Sequence, residues 1–183
     1  ARHLTPEKAK KIIWVGVDVD SGIATTYEKI RKSLTTYDLL PRVKQNIALA
    51  VDAGIKVDLK ALLMDQNTTV EELYGLFNLV KDTGARGLHI RPLLDLETKK
   101  IFEVTDALKK QIADIALETG VSYNLPENRK EPRTYTKCHQ MFLYTIMTAN
   151  GDINVCCESR GDRTFTIGNW INQDIRDIWM KEK

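Results

Sequence analysis

Three times in succession a short run rich in Val, Ile and Leu gives way to an amphipathic helix, and this alternation restricts the chain more than any other feature. Residues 12–20 (IIWVGVDVD), 56–64 (KVDLKALLM) and 87–91 (GLHIR) have the length and branched content of strands. Between and after them the period changes from two to 3.6. Residues 25–32 predict a short helix and 38–53 a longer one, with Val43, Ile47, Ala50 and Val51 on one face. Pro41 fits the first turn of that helix and Gly54 its C-cap. The sequence Thr68-x-x-Glu71 predicts a capping box for a helix carrying Leu73, Phe77 and Val80 and ending at Gly84. A further helix spans 105–119, with Leu108, Ile112 and Ile115 inward and Gly120 as its cap. Strands separated by helices pair in parallel through right-handed crossovers, so the fold class is α/β.

The three strands carry polar side chains where a doubly covered parallel sheet is apolar. Ile13, Val15, Val17 and Val19 share one face of the first, opposite Gly16, Asp18 and Asp20. Val57, Leu59, Ala61 and Leu63 oppose Lys56, Asp58 and Lys60, and Leu88 and Ile90 oppose His89 and Arg91. The apolar faces are expected under the helices and the polar faces on the concave side of a curved sheet. Asp18, Asp20, Lys60 and Arg91 fall near the carboxyl ends of strands, where barrel-type sheets place their chemistry. Two readings stand: the charges pair with one another, or they line a pocket for a polar substrate or cofactor. Three strand–helix units are too few to close a barrel, so a partial (β/α) barrel is expected, part of a longer protein or completed by a partner subunit.

Residues 124–136 hold two prolines and a run of charges, and read as a linker. Beyond them the pattern is that of a small α+β module: a hairpin from 142–147 and 152–156 around Ala149-Asn150-Gly151, a short strand at 164–167, and a C-terminal helix at 172–180 using Ile175, Ile178 and Trp179. Two domains follow, 1–123 and 124–183.

With 27 basic and 25 acidic side chains the net charge is +2, which makes no electrostatic case for nucleic acid or a membrane surface. No apolar run approaches bilayer length, and the first residues lack a signal core. Three cysteines do not build a disulfide framework; a reducing cytoplasm suits them. The hairpin brings Cys156 back towards Cys138, so both thiolates can face one site, for zinc or an iron–sulfur cluster. Neighbouring His139 is another candidate ligand. Adjacent Cys156 and Cys157 point to opposite faces if extended. The alternative is that these thiols are small buried side chains of a small module.

From Cys138 onward the order Cys138, Asn150-Gly151, Cys156, Ile167-Gly168-Asn169 and Ile178-Trp179 resembles the SPASM or twitch module that follows the barrel in a group of radical S-adenosylmethionine (radical SAM) enzymes. VGVDVDSG, with Asp18 in a position where serine is common and Asp20 matching an aspartate, is similar to the fourth-strand segment of that family's barrel. Tyr27 to Arg31 resembles the segment whose arginine binds the cofactor's carboxylate. The resemblance covers nearly the whole chain and is strongest in its last 46 residues.

The resemblance implies an auxiliary 4Fe-4S cluster on Cys138 and Cys156, with Cys157 a further candidate ligand. It also implies S-adenosylmethionine contacts from Arg31, Asp18 and Asp20, and Lys60, Asp58, His89 and Arg91 as substrate-pocket candidates. The implied reaction is hydrogen abstraction by a 5′-deoxyadenosyl radical, in an oxidoreductase or peptide maturase acting on a peptide, a sugar or another small-molecule alcohol. The Cys-x-x-x-Cys-x-x-Cys loop of the catalytic cluster is not in these 183 residues, nor are the first barrel strands. This chain alone is therefore not expected to cleave S-adenosylmethionine. The rival expectations are a non-catalytic binding or scaffold protein derived from that family, and a zinc-stabilised module using Cys138, His139, Cys156 and Cys157.

Overall fold

Strands need partners for their backbone N–H and C=O groups, and the partners found decide how much of each apolar run becomes a strand. The computed structural model describes residues 5–32, 39–95, 98, 100–126, 136–137, 139, 144–156 and 162–180. It forms two compact units, Ala1–Arg129 and Lys130–Lys183.

The first unit begins with a single helical turn, α1 (Pro6–Ala9), followed by β1 (Val15–Asp18), α2 (Ala24–Arg31), α3 (Leu39–Asp52), β2 (Val57–Leu63), α4 (Val70–Thr83), β3 (Leu88–Pro92), α5 (Asp106–Thr119) and β4 (Tyr123–Asn124). The strands pair in parallel in the order β1-β2-β3-β4. The expected alternation is therefore present, with a fourth short strand that the linker reading did not anticipate. Asn124 pairs with His89, and the Tyr123 ring meets Phe77 edge-on at 6.1 Å.

Val57, Leu59, Ala61 and Leu63 are buried with Leu88 and Ile90 against Leu73, Leu76, Phe77, Ile112 and Ile115. Each such aliphatic or aromatic side chain contributes about 1.5–3 kcal/mol by leaving water. Gly84 and Gly120 end α4 and α5 in the left-handed conformation, as expected.

Local details differ for identifiable reasons. Pairing of β1 starts at Val15 opposite Val57, so Ile13, expected on the core face, is 86% exposed. The N-cap of α4 is Thr69, whose Oγ1 accepts from the Glu72 N–H, rather than Thr68. A 3-10 turn over Asp65–Asn67 comes between β2 and α4 and moves the cap one residue on. Pro92 is the last residue of β3, where its missing N–H does no harm.

The second unit is a three-stranded antiparallel sheet, β5 (Ile146–Met147), β6 (Asp152–Asn154) and β7 (Thr166–Asn169), with a terminal helix α6 (Ile175–Met180). The hairpin turns at Asn150-Gly151 as expected. Its third strand starts two residues later than expected. Asp162 accepts from the Thr164 backbone N–H at 2.9 Å and hydroxyl at 2.6 Å, holding a 3-10 turn over Arg163–Phe165 in place of extended chain. Ile178 is buried, but Ile175 and Trp179, expected inward with it, are half-exposed. The helix begins only after Gln173, whose side chain turns back to accept from the Asn169 N–H. Among the described residues no helix is long and apolar enough to cross a membrane.

Candidate functional site

The sheet face turned away from the helices carries two polar clusters, one at each end of the strands. At the carboxyl end β1 runs into Asp20 and Ser21, both buried. The Leu62 N–H donates to Asp20 Oδ1 at 3.0 Å, and Asp20 Oδ2 lies 3.0 Å from Arg31 Nη2. The same nitrogen donates to the Asp18 carbonyl at 2.7 Å. Both contacts use one guanidinium nitrogen, so among the described residues the rest of the fork remains available to a bidentate anion. Asp18, Asp20 and Arg31 are thus brought together.

Asn67 seals this rim from below. Its amide donates to the carbonyls of Asp20 and Leu62, each at 2.7 Å, and its oxygen accepts from the Met64 N–H at 2.9 Å. Ser21 donates to Glu72 at 2.7 Å, which joins the rim to α4. Neither role is visible in the local sequence pattern, because the partners lie 47 and 51 residues apart in the chain.

At the amino end of the sheet Asp58 collects three partners. Arg86 grips it with two nitrogens at 3.0 and 2.6 Å, the Trp14 indole N–H donates at 2.5 Å, and His89 Nε2 stands 3.4 Å away. Burial pushes the Asp58 carboxyl up, but the hydrogen bonds from Arg86 and Trp14 and the Arg86 charge outweigh it and hold the group below its ordinary value. Asp58 and His89 were expected on this face; Arg86 and Trp14 were not. Arg86 sits in the bend before β3, and Trp14 precedes the paired part of β1.

A depressed carboxylate stabilises the fold above its unfolded-state pKa, near 3.9, and that contribution is lost as pH falls through the lower folded value. Stability of the first unit is therefore expected to decline as pH drops below about 4. In Arg86→Met the decline should be smaller, because without the guanidinium the folded value of Asp58 rises towards the unfolded one. Chemical denaturation from pH 6 to pH 3, followed by Trp14 fluorescence in a chain with Trp170→Phe and Trp179→Phe, checks this; identical pH profiles for the two proteins would remove the pair as the cause.

Lys60 lies between these clusters, its amine 5.1 Å from the centre of the Trp14 ring. Arg91 is exposed at the far end of β3. Neither forms an ion pair among the described residues.

In the second unit Cys156 follows β6 and is half-buried. The Val155 N–H just before it donates to the Phe165 carbonyl at 3.2 Å, so the backbone leading into Cys156 is anchored at the end of the sheet. Cys138 and Cys157 lie outside the described residues, and His139 is exposed. Among the described residues no three His, Cys, Asp or Glu side chains come together as a metal site.

Residues 138–183 match the SPASM family, an iron–sulfur cluster-binding domain. The SPASM match begins on Cys138 and contains all three cysteines. Three thiol-bearing residues are a donor set suited to iron–sulfur chemistry, and the anchored Cys156 is compatible with it. The solved structures similar to the chain include Streptococcus suis SuiB bound to precursor peptide SuiA, with TM-score 0.59 and 12% identity over 100% of this chain and 46% of that one. They include SuiB bound to S-adenosylmethionine, with TM-score 0.55 and 14% identity over 91% of this chain and 42% of that one. A radical SAM methyltransferase from Sphaerobacter thermophilus has TM-score 0.52 and 12% identity over 63% of this chain and 34% of that one. At such identities the likeness is one of fold. The chain spans less than half the length of each of these proteins. No curated protein matches it. The chain resembles the C-terminal part of a radical SAM enzyme with a SPASM module.

Proposed function

We propose that this chain works as the later part of a radical SAM enzyme's barrel, residues 1–123, followed by a SPASM module, residues 124–183, and that the enzyme modifies a peptide. The observation that carries this reading is the SPASM match starting on Cys138. The fold likeness to SuiB, a protein solved with a precursor peptide, favours a peptide over a sugar.

Cys138 and Cys156 hold the auxiliary cluster, with Cys157 the further candidate. Arg31, braced by Asp20 and the Asp18 carbonyl, offers its open fork to the cofactor's carboxylate. Asp18 and Asp20 complete that end of the site. Lys60, Asp58, His89 and Arg91 line the substrate side. When bound, S-adenosylmethionine supplies the radical chemistry, and the protein contributes position and charge. The remaining barrel strands come from an N-terminal half or a partner subunit. The thiols suit a reducing cytoplasm.

After anaerobic reconstitution the chain is expected to contain iron and acid-labile sulfide together. Cys138→Ala and Cys156→Ala should each remove at least half of both, while circular dichroism of the first unit is retained. Zinc without sulfide in the isolated protein, or unchanged iron in both variants, would overturn the cluster assignment.

A further inference from the structure

Lys60 is held in one place by a chain of contacts that ends on its amine. Arg86 fixes the Asp58 carboxylate with two nitrogens. Asp58 fixes the indole of Trp14 through its N–H. The face of that ring then lies 5.1 Å from the Lys60 ammonium, within cation–π range. Gly16 makes room for the arrangement. A Cβ there would lie 2.5 Å from Lys60 Cε, 2.9 Å from its Nζ and 2.9 Å from the Trp14 ring, so any other residue displaces the lysine or the indole.

The charge delivered in this way is not neutralised by the residues that deliver it. Asp58 is committed to Arg86, Trp14 and His89. Asp18, the register neighbour of Lys60 on β1, forms no ion pair with it among the described residues. On the other side the neighbour is His89, on the same face of β3. Lys60 is half-buried; a surface lysine has no comparable restraint on its flexible stem.

We infer that Lys60, seated on Trp14 over Gly16 beside His89, is a binding point for a carboxylate of the substrate, an acidic side chain of the peptide. The inference rests on the reading of this face as the substrate side. The ring holds the cation without cancelling its charge, so the lysine is pre-organised and keeps its full attraction for an anion. Arg31 is separately engaged at the rim by Asp20.

The test uses the 183-residue chain with Trp170→Phe and Trp179→Phe, both positions being half-exposed and in the other unit, so that Trp14 is the sole indole. A blocked triglutamate peptide is titrated while Trp14 emission is followed, with blocked triglutamine and glutarate as comparisons. Triglutamate is expected to bind saturably and triglutamine not at all. Lys60→Gln should weaken binding at least tenfold, and Lys60→Arg should keep it within about threefold. Equal binding of triglutamate by Lys60→Gln and the parent, or by triglutamine and triglutamate, overturns the assignment. Loss of binding in Lys60→Arg as well, with an unchanged fold by circular dichroism, also overturns it. Glutarate binding as tightly as the peptide overturns the peptide as the source of the carboxylate. Iron and sulfide after reconstitution should match the parent in Lys60→Gln. Failure of the carboxylate site with the cluster intact is therefore distinct from failure of the enzyme reading.

Discussion

Gly22→Ala is expected to destabilise the first unit by about 3 kcal/mol or more, the severe end of overpacking. In a domain of this size that lowers the melting temperature by about 6–12 °C. Gly22 follows the buried Ser21 in the bend after β1 and lies directly against Gly75 in the middle of α4. A Cβ on Gly22 would lie 1.9 Å from the Gly75 carbonyl oxygen and 2.1 Å from its carbon. Both are backbone atoms of a hydrogen-bonded helix, so no rotamer change relieves the clash. The bend must move, and with it the Ser21 bond to Glu72 and the Asp20 bond to the Leu62 N–H. Gly75→Ala is the internal comparison. Its new Cβ meets the flexible Ile23 Cγ1 at 3.2 Å and the Gly22 carbon at 3.4 Å, and the helix gains about 1 kcal/mol of propensity. The two terms oppose, and its stability should stay within about 1 kcal/mol of the parent. Urea unfolding followed by Trp14 emission, in a chain with Trp170→Phe and Trp179→Phe, measures both. Equal midpoints for the two variants would mean the strand-to-helix contact is not as tight as these distances require.

Asn67→Ala carries the second large expectation, a loss of about 3 kcal/mol from buried groups left without partners, each worth about 1–3 kcal/mol before relaxation. Asn67 is fully buried. Its removal orphans the Asp20 carbonyl, the Leu62 carbonyl and the Met64 N–H. These three groups belong to the carboxyl ends of β1 and β2, so the damage falls on the rim that presents Asp18, Asp20 and Arg31. Hydrogen exchange should show the amides of Leu62 and Met64 losing protection before those of Leu59 and Ala61 in the strand centre. A uniform loss across β2, or none, would mean that Asn67 does not hold the rim separately from the core.

Much of the fold was legible because it depends on local periodicity. The strand runs, the helices over the 70s and 105–119, the glycine caps and the Asn150-Gly151 turn all rest on residues within one or two turns of each other. The misreadings share a different cause. Ile13 alternates correctly with Val15, but β2 offers it no partner. Thr68 has the spacing of a cap, but the Asp65–Asn67 turn displaces the helix start by one residue. Ile175 and Trp179 have helical spacing with Ile178, yet a short helix on a three-stranded sheet buries little beyond the central side chain.

The candidate site divides in the same way. Asp18, Asp20, Asp58, Lys60, His89 and Arg91 were visible as polar positions on otherwise apolar strands, and Arg31 through its likeness to a cofactor-binding segment. Their partners were not visible, since Arg31 lies 11 residues from Asp20 in the chain and Arg86 lies 28 from Asp58.

The sequence by itself determined the alternation of strands and helices, the polar face of the sheet and the cysteine spacing of the module, because each is a property of neighbours along the chain. The tertiary structure alone decided which charges are spent on one another. Asp20 goes to Arg31 and Asp58 to Arg86, while Lys60 is set on Trp14 with its charge intact. The reason is physical. Ion pairing and cation–π contact depend on distances of a few ångströms between side chains from different strands and loops, and only the parallel register of β1, β2 and β3 fixes those distances.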